Sequence, residues 1–144
     1  IIWCHFRDEI DQVVKYLKKY KYKVTTIHGD IKPKDREKRR LGFQNGLFDY
    51  VVIQAKSFAR GADLSRARTM IWYSITESGR IHEQSKYRTL NIREKHSILC
   101  IYLCMEASVD MTIYKSQIKK ENRQLMIKRL WKEIKDRNVQ KTTK

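Results

Sequence analysis

Short apolar runs that recur between helically patterned segments constrain this chain more than any other feature. Tyr50 to Gln54 and Thr69 to Tyr73 are two of them, uncharged and rich in aromatic and branched residues. Ile1 to Phe6, Lys23 to His28 and Ser97 to Cys104 are three more. Runs of this length suit strands buried on both faces. Between them, Asp8 to Tyr20 carries Ile10, Val13, Val14 and Leu17 at helical spacing. Lys34 to Gln44 reads as a charged helix, with Leu41 and Phe43 as core contacts. Pro33 suits its first turn and Asn45-Gly46 its end. Arg80 to Leu90 predicts another helix, and the pattern from Val109 to about Lys135 predicts a long one. In that last helix Ile113, Ile118, Leu125, Met126, Leu130 and Ile134 point inward; Asn138 to Lys144 read as a frayed end.

Strands alternating with helices predict an α/β fold with a central parallel sheet covered on both faces, a three-layer arrangement. In such sheets the loops at the carboxyl ends of the strands carry ligands, so the loops after His28, Gln54 and Tyr73 outrank the rest. A length of 144 residues suits one domain with one core. One proline and five glycines leave no interdomain linker. The chain opens on Ile1-Ile2-Trp3 with no initiator methionine, so a preceding segment is expected.

The formal net charge is +16, from 32 basic and 16 acidic residues. Such a balance favours a polyanionic partner, nucleic acid before an anionic membrane, although solubility is the plainer reading. The bases concentrate in two zones. Lys32, Lys34, Arg36, Lys38, Arg39 and Arg40 stand against Asp35 and Glu37, and residues 115–144 hold eleven bases against three acids. Either zone suits a phosphate backbone or a solvated helix face. Cys4, Cys100 and Cys104 form no CxxC pair and are odd in number. That argues against a disulfide framework or a zinc site, and for buried thiols in a reducing compartment, cytoplasm or nucleus. No apolar stretch approaches membrane-spanning length, and no signal peptide is visible in this sequence.

Gly61 and Asp63 stand two residues apart in the loop between the third and fourth strands. A glycine there admits a close backbone approach, and an acid accepts from a ribose hydroxyl or caps the turn before Leu64. Gln84 and Arg88 follow at helical i, i+4 spacing.

These features, in this order, resemble the second RecA-like lobe of superfamily 2 helicases and translocases over nearly the whole chain. Ile1 to Phe6 looks like motif IV. Ile27-His28-Gly29-Asp30, then Arg36, Phe43 and Gly46, looks like the stretch that follows it. Gln54 to Leu64 looks like motif V, and Gln84 to Arg88 like the first half of motif VI. Ile101-Tyr102, then Ala107 to Asp110 and Ile113-Tyr114, is similar to the strand and helix downstream of motif VI in Swi/Snf-type translocases. That similarity favours a Swi/Snf-like or phage-type branch over DEAD-box proteins.

The resemblance implies a lobe, residues 1–144, that closes on an N-terminal RecA-like lobe of the same polypeptide with ATP between them. Arg88 would neutralise the transferring phosphoryl group, and Gln84 would sense the phosphates. Gly61 and Asp63 would face the nucleotide. His28, Gly29, Lys56, Ser57 and Arg60 would meet nucleic acid, with DNA expected and RNA an alternative. Mg²⁺ would sit on the other lobe, because this chain has neither GxxxxGK[ST] nor a DExx box. No metal site is expected here. Two departures stand out: Asn91 occupies the place of the second motif VI arginine, with Arg93 two residues on, and Gln54-Ala55 replaces a Ser-Thr pair. They support a second reading, a nucleic-acid-binding module without motor chemistry. A third is the motor part of a restriction system.

Overall fold

The structure is a computed structural model that describes residues 1–57, 63–89, 97–119 and 132. Five strands alternate with helices: β1 (Ile2–Cys4), α1 (Arg7–Lys19), β2 (Val24–Ile27), α2 (Pro33–Gln44), β3 (Tyr50–Gln54), β4 (Thr69–Trp72), α3 (Gly79–Thr89), β5 (Leu99–Tyr102) and α4 (Val109–Ile118). A single turn of 3₁₀ helix, Ala55–Ser57, leaves the end of β3. The sheet runs β2-β3-β1-β4-β5, with every pair parallel. Ile2 faces Val52 on one side and Ile71 on the other, so β1 is the central strand.

Strand alternation sorts the core into two layers. On one face Trp3, Ile27, Val51, Ile53, Met70 and Trp72 meet Phe43 of α2, Ile81 of α3, and Ile113 and Tyr114 of α4. On the other face Ile2, Cys4 and Val52 meet Ile10, Val13 and Leu17 of α1. The three layers expected from the pattern are present.

Both of the first two helices end in the same way. At α2 the Leu47 N–H donates to Gly42 O and the Gly46 N–H to Phe43 O, with Gly46 at φ +81°. At α1 the Tyr22 N–H donates to Leu17 O and the Lys21 N–H to Lys18 O, with Lys21 at φ 62°. These are two Schellman caps, one built on the glycine the left-handed position favours and one on a lysine.

Several expectations need correction. Leu41 is exposed, because it lies about 160° round α2 from the buried Phe43. Ile118 is exposed at the end of α4, which closes there with Lys119 as its cap. The remainder of the expected long helix lies outside the described residues. β5 is four residues rather than eight, and its residues alternate between half-buried and exposed because it is an edge strand. Of the thiols, Cys4 is buried and the other two are half-buried. Burial first, and the Glu9 carboxylate second, push the Cys4 thiol up to about 12, so it is an inert core group.

Candidate nucleotide and nucleic-acid interface

Two groups of expected residues assemble. The first lies beyond the carboxyl ends of β2 and β3. A Cβ added at Gly29 would stand 3.3 Å from Ser57 Oγ, so the turn after β2 lies directly against the turn after β3. Ser57 Oγ donates to Gln54 Oε1 at 2.6 Å, and Lys56 beside it is exposed. His28 is buried, with Nδ1 3.5 Å from Asp30, which also lies 3.4 Å from Arg7 Nε. Burial, then the Arg7 charge, lowers the His28 pKa against the opposing pull of Asp30. A neutral imidazole is therefore the resting form at pH 7, suited to hydrogen bonding rather than to ion pairing. The structure brings together His28, Gly29, Lys56 and Ser57. Arg60 lies outside the described residues.

The second group joins the crossover from β3 to β4 with α3. The Leu64 N–H donates to Arg88 O at 3.0 Å, which seats the Asp63–Leu64 backbone on the last turn of α3. Arg88 is half-buried, and burial lowers its pKa, though a guanidinium stays charged at pH 7. Gln84, one turn earlier, is also half-buried. The Asp63 carboxylate accepts from the Ser65 N–H at 2.8 Å and from the Gln44 amide at 3.1 Å. That is the turn-capping geometry. Gly61 lies outside the described residues, as do Asn91 and Arg93.

A stripe on α2 that the sequence reading missed connects the two groups. Arg36 donates to Ile31 O at 2.7 Å and to Ser57 O at 2.9 Å. Arg40, one turn on, donates to Asp63 O at 2.9 Å and pairs with Glu37 at 2.6 Å. Gln44, a further turn on, holds the Asp63 carboxylate and, through its carbonyl, the Arg66 N–H. Residues 36, 40 and 44 thus tie down both loops from one helix face. Arg39 donates to Thr26 O and Oγ1. Half of the bases in the zone from Lys32 to Arg40 therefore serve the fold, while Lys32, Lys34 and Lys38 remain exposed. The i, i+4, i+8 spacing was the available signal, hidden within a charge run.

A parallel five-stranded sheet with its polar loops gathered at the carboxyl ends, and an arginine helix against one of them, defines a RecA-like lobe of the helicase class. The profile of the helicase conserved C-terminal domain matches residues 1–93, and the chain belongs to that family. The family is one of ATP-dependent helicases. The chain is 32% identical over 78 residues to eukaryotic initiation factor 4A of Cryptosporidium parvum, covering 54% of this chain and 19% of that protein. It is 31% identical over 77 residues to the ATP-dependent RNA helicase FAL1 of Vanderwaltozyma polyspora, with the same two coverages. The chain thus spans about a fifth of the curated relatives it matches. Among solved structures, the C-terminal part of the Fun30 ATPase domain superposes with a TM-score of 0.72 at 17% identity, over 79% of this chain and 37% of that one. The C-terminal domain of the DEAD-box protein Dbp5 gives 0.69 at 17% identity, over 83% and 67%. The fold is shared with both.

Among the described residues no group of three or more His, Cys, Asp or Glu side chains could hold a metal ion. None of the helices there is long and apolar enough to cross a membrane.

Proposed function

We propose that this chain is the second lobe of an ATP-driven nucleic-acid motor, closing on a phosphate-gripping lobe of the same polypeptide. The contact that carries this reading is Leu64 N–H to Arg88 O, which puts the acid-bearing loop and the arginine helix side by side. Bound ATP supplies the phosphoanhydride whose cleavage drives the cycle, with Mg²⁺ held by the other lobe. Arg88 offers a fixed positive charge to the transferring phosphoryl group, and Gln84 hydrogen-bonds at the same interface. Gly61 permits the loop backbone to approach the nucleotide. The Asp63 carboxylate has about four acceptor sites, so its two bonds among the described residues leave room for a ribose hydroxyl.

The Gly29–Ser57 edge supplies the track. Lys56 contributes charge, Ser57 a hydroxyl and His28 a neutral imidazole to one strand's phosphates, and the family resemblance adds the charge of Arg60. Cycles of lobe closure then move the protein along that strand. DNA is the first reading, from the Swi/Snf-like downstream helix. RNA is the second, favoured by the names of the sequence relatives, among them an ATP-dependent RNA helicase.

In the full-length protein, nucleic acid should stimulate ATP hydrolysis, and Arg88→Ala should lower turnover at least tenfold. An unchanged rate removes Arg88 from the mechanism, and no hydrolysis in the parent protein favours a binding module. Comparing oligo-dT with oligo-U as the stimulating strand decides the track.

A further inference from the structure

The opposite end of the sheet holds a surface that the motor reading does not use. Residues 15–23 read Lys-Tyr-Leu-Lys-Lys-Tyr-Lys-Tyr-Lys, and no acid occurs from Gln12 to Gly29. Every one of these residues except Leu17 is exposed. Tyr16 and Tyr20 lie one turn apart on α1, their ring centroids 5.0 Å from each other, and both are more than half exposed. Tyr22 follows in the turn, its ring edge-on to Tyr50 at 5.1 Å. None of the five lysines is ion-paired within the described residues. The nearby acids are engaged: Asp11 with Arg7, and Asp49 with the Lys23 N–H.

Structural reasons account for only part of this. Lys18 and Lys19 complement the negative end of the α1 dipole, and Lys23 protects the edge strand β2 from pairing. Neither reason explains Lys15, Lys21 or the exposed rings. Lys21 is the sharper case, because its backbone sits in the left-handed region where the equivalent cap of α2 uses Gly46. A side chain is kept there against local preference.

We propose that residues 15–23 form a second binding surface for single-stranded nucleic acid, in which bases stack on Tyr16 and Tyr20 while the lysines follow the phosphates. Stacking on exposed rings among lysines is tolerant of sequence, as a moving protein requires. Lys23 precedes β2 and His28 follows it, so this surface is separated from the Gly29–Ser57 track by one strand length, about 16 Å. It therefore adds a second hold on the strand. The proposal rests on the reading that this protein works on nucleic acid.

Fluorescence anisotropy of labelled oligo-dT and oligo-U, titrated against the full-length protein over a range of salt, tests it. Tyr16→Ser with Tyr20→Ser should weaken binding at least fivefold without changing the salt dependence. Lys21→Gly should weaken binding and make the log–log salt slope shallower by about 0.7. The same change should raise the melting temperature, because glycine relieves the cap. A larger loss with one oligonucleotide assigns the surface to that chemistry. Unchanged affinity in these variants, with weaker binding in Lys56→Ala, overturns this proposal alone. No binding of either oligonucleotide by the parent protein overturns the nucleic-acid reading as well. Variants that lose only binding to phosphatidylserine vesicles overturn it in favour of a membrane.

Discussion

The two faces of the sheet are held by different chemistry. Under α1 the buried side chains are aliphatic apart from one inert thiol: Ile2, Cys4, Ile10, Val13, Leu17 and Val52, with Tyr50 at the margin. On the other face the strands contribute two stacked indoles, and the helices bury polar groups. α3 buries His82, Ser85 and Thr89, while α4 buries Thr112, Ser116 and Gln117. His82 Nε2 lies 2.9 Å from the Tyr102 hydroxyl, and the Gln117 amide donates to Thr76 O at 2.9 Å. Apolar contact is non-directional, whereas hydrogen bonds fix an angle. Apolar burial therefore stabilises both faces, and on the α3 face the added hydrogen bonds set how the helix bearing Gln84 and Arg88 is turned.

The comparison breaks most readily on the aliphatic side. Ile10 is fully buried, and Ile10→Ala should cost about 2–5 kcal/mol, seen as a lower chemical-denaturation midpoint. A cost below 1 kcal/mol would mean that α1 adds little to stability by packing on the sheet.

Acid probes the polar side. Burial, with the Lys86 charge second, lowers the His82 pKa from 6.5 to about 4. The folded protein then binds fewer protons than the unfolded chain between those values. Stability is fully present above about pH 6.5 and falls as pH drops toward 4, by about 3 kcal/mol for this group. His82→Phe should flatten that part of the pH–stability curve. A slope unchanged by the substitution would assign the acid sensitivity elsewhere.

The smallest effect sharpens the distinction. Gln117→Leu leaves Thr76 O without its amide donor and should cost about 1 kcal/mol. Its larger consequence should appear in ATP turnover of the full-length protein, through a displaced α3. Turnover that tracks stability alone would deny the face an orienting role.

How much of this was legible depended on the kind of interaction. Apolar runs and helical spacing report burial, so all five strands and the first three helices stand within about two residues of their expected bounds. Leu41 and Ile118 depart from expectation because Leu41 lies on the far side of α2 from Phe43 and Ile118 lies at the end of α4. The expected β5 exceeds the observed strand because Ile98, Leu103 and Cys104 continue its apolar run, whereas the pairing with β4 spans only Leu99 to Tyr102. For the site, motif order identified the residue types, and the structure set Asp63 beside the Arg88 backbone and Gly29 beside Ser57. Motif order does not foretell the work of Arg36 and Arg40. Bonds from guanidinium groups to backbone carbonyls depend on loops that the chain brings together only on folding, and they leave no pattern among the acceptors.

One feature of the core has a practical consequence. Trp3 and Trp72 face each other across β1 and β4, with ring centroids 5.6 Å apart and planes inclined by 21°. Adjacent, nearly parallel indoles shielded from water couple electronically, so near-ultraviolet circular dichroism becomes a register gauge for the central strands. A slip of one residue would carry Trp3 to the aliphatic side and uncouple the pair. The chain thus carries its own optical reporter of correct strand pairing, readable without a label.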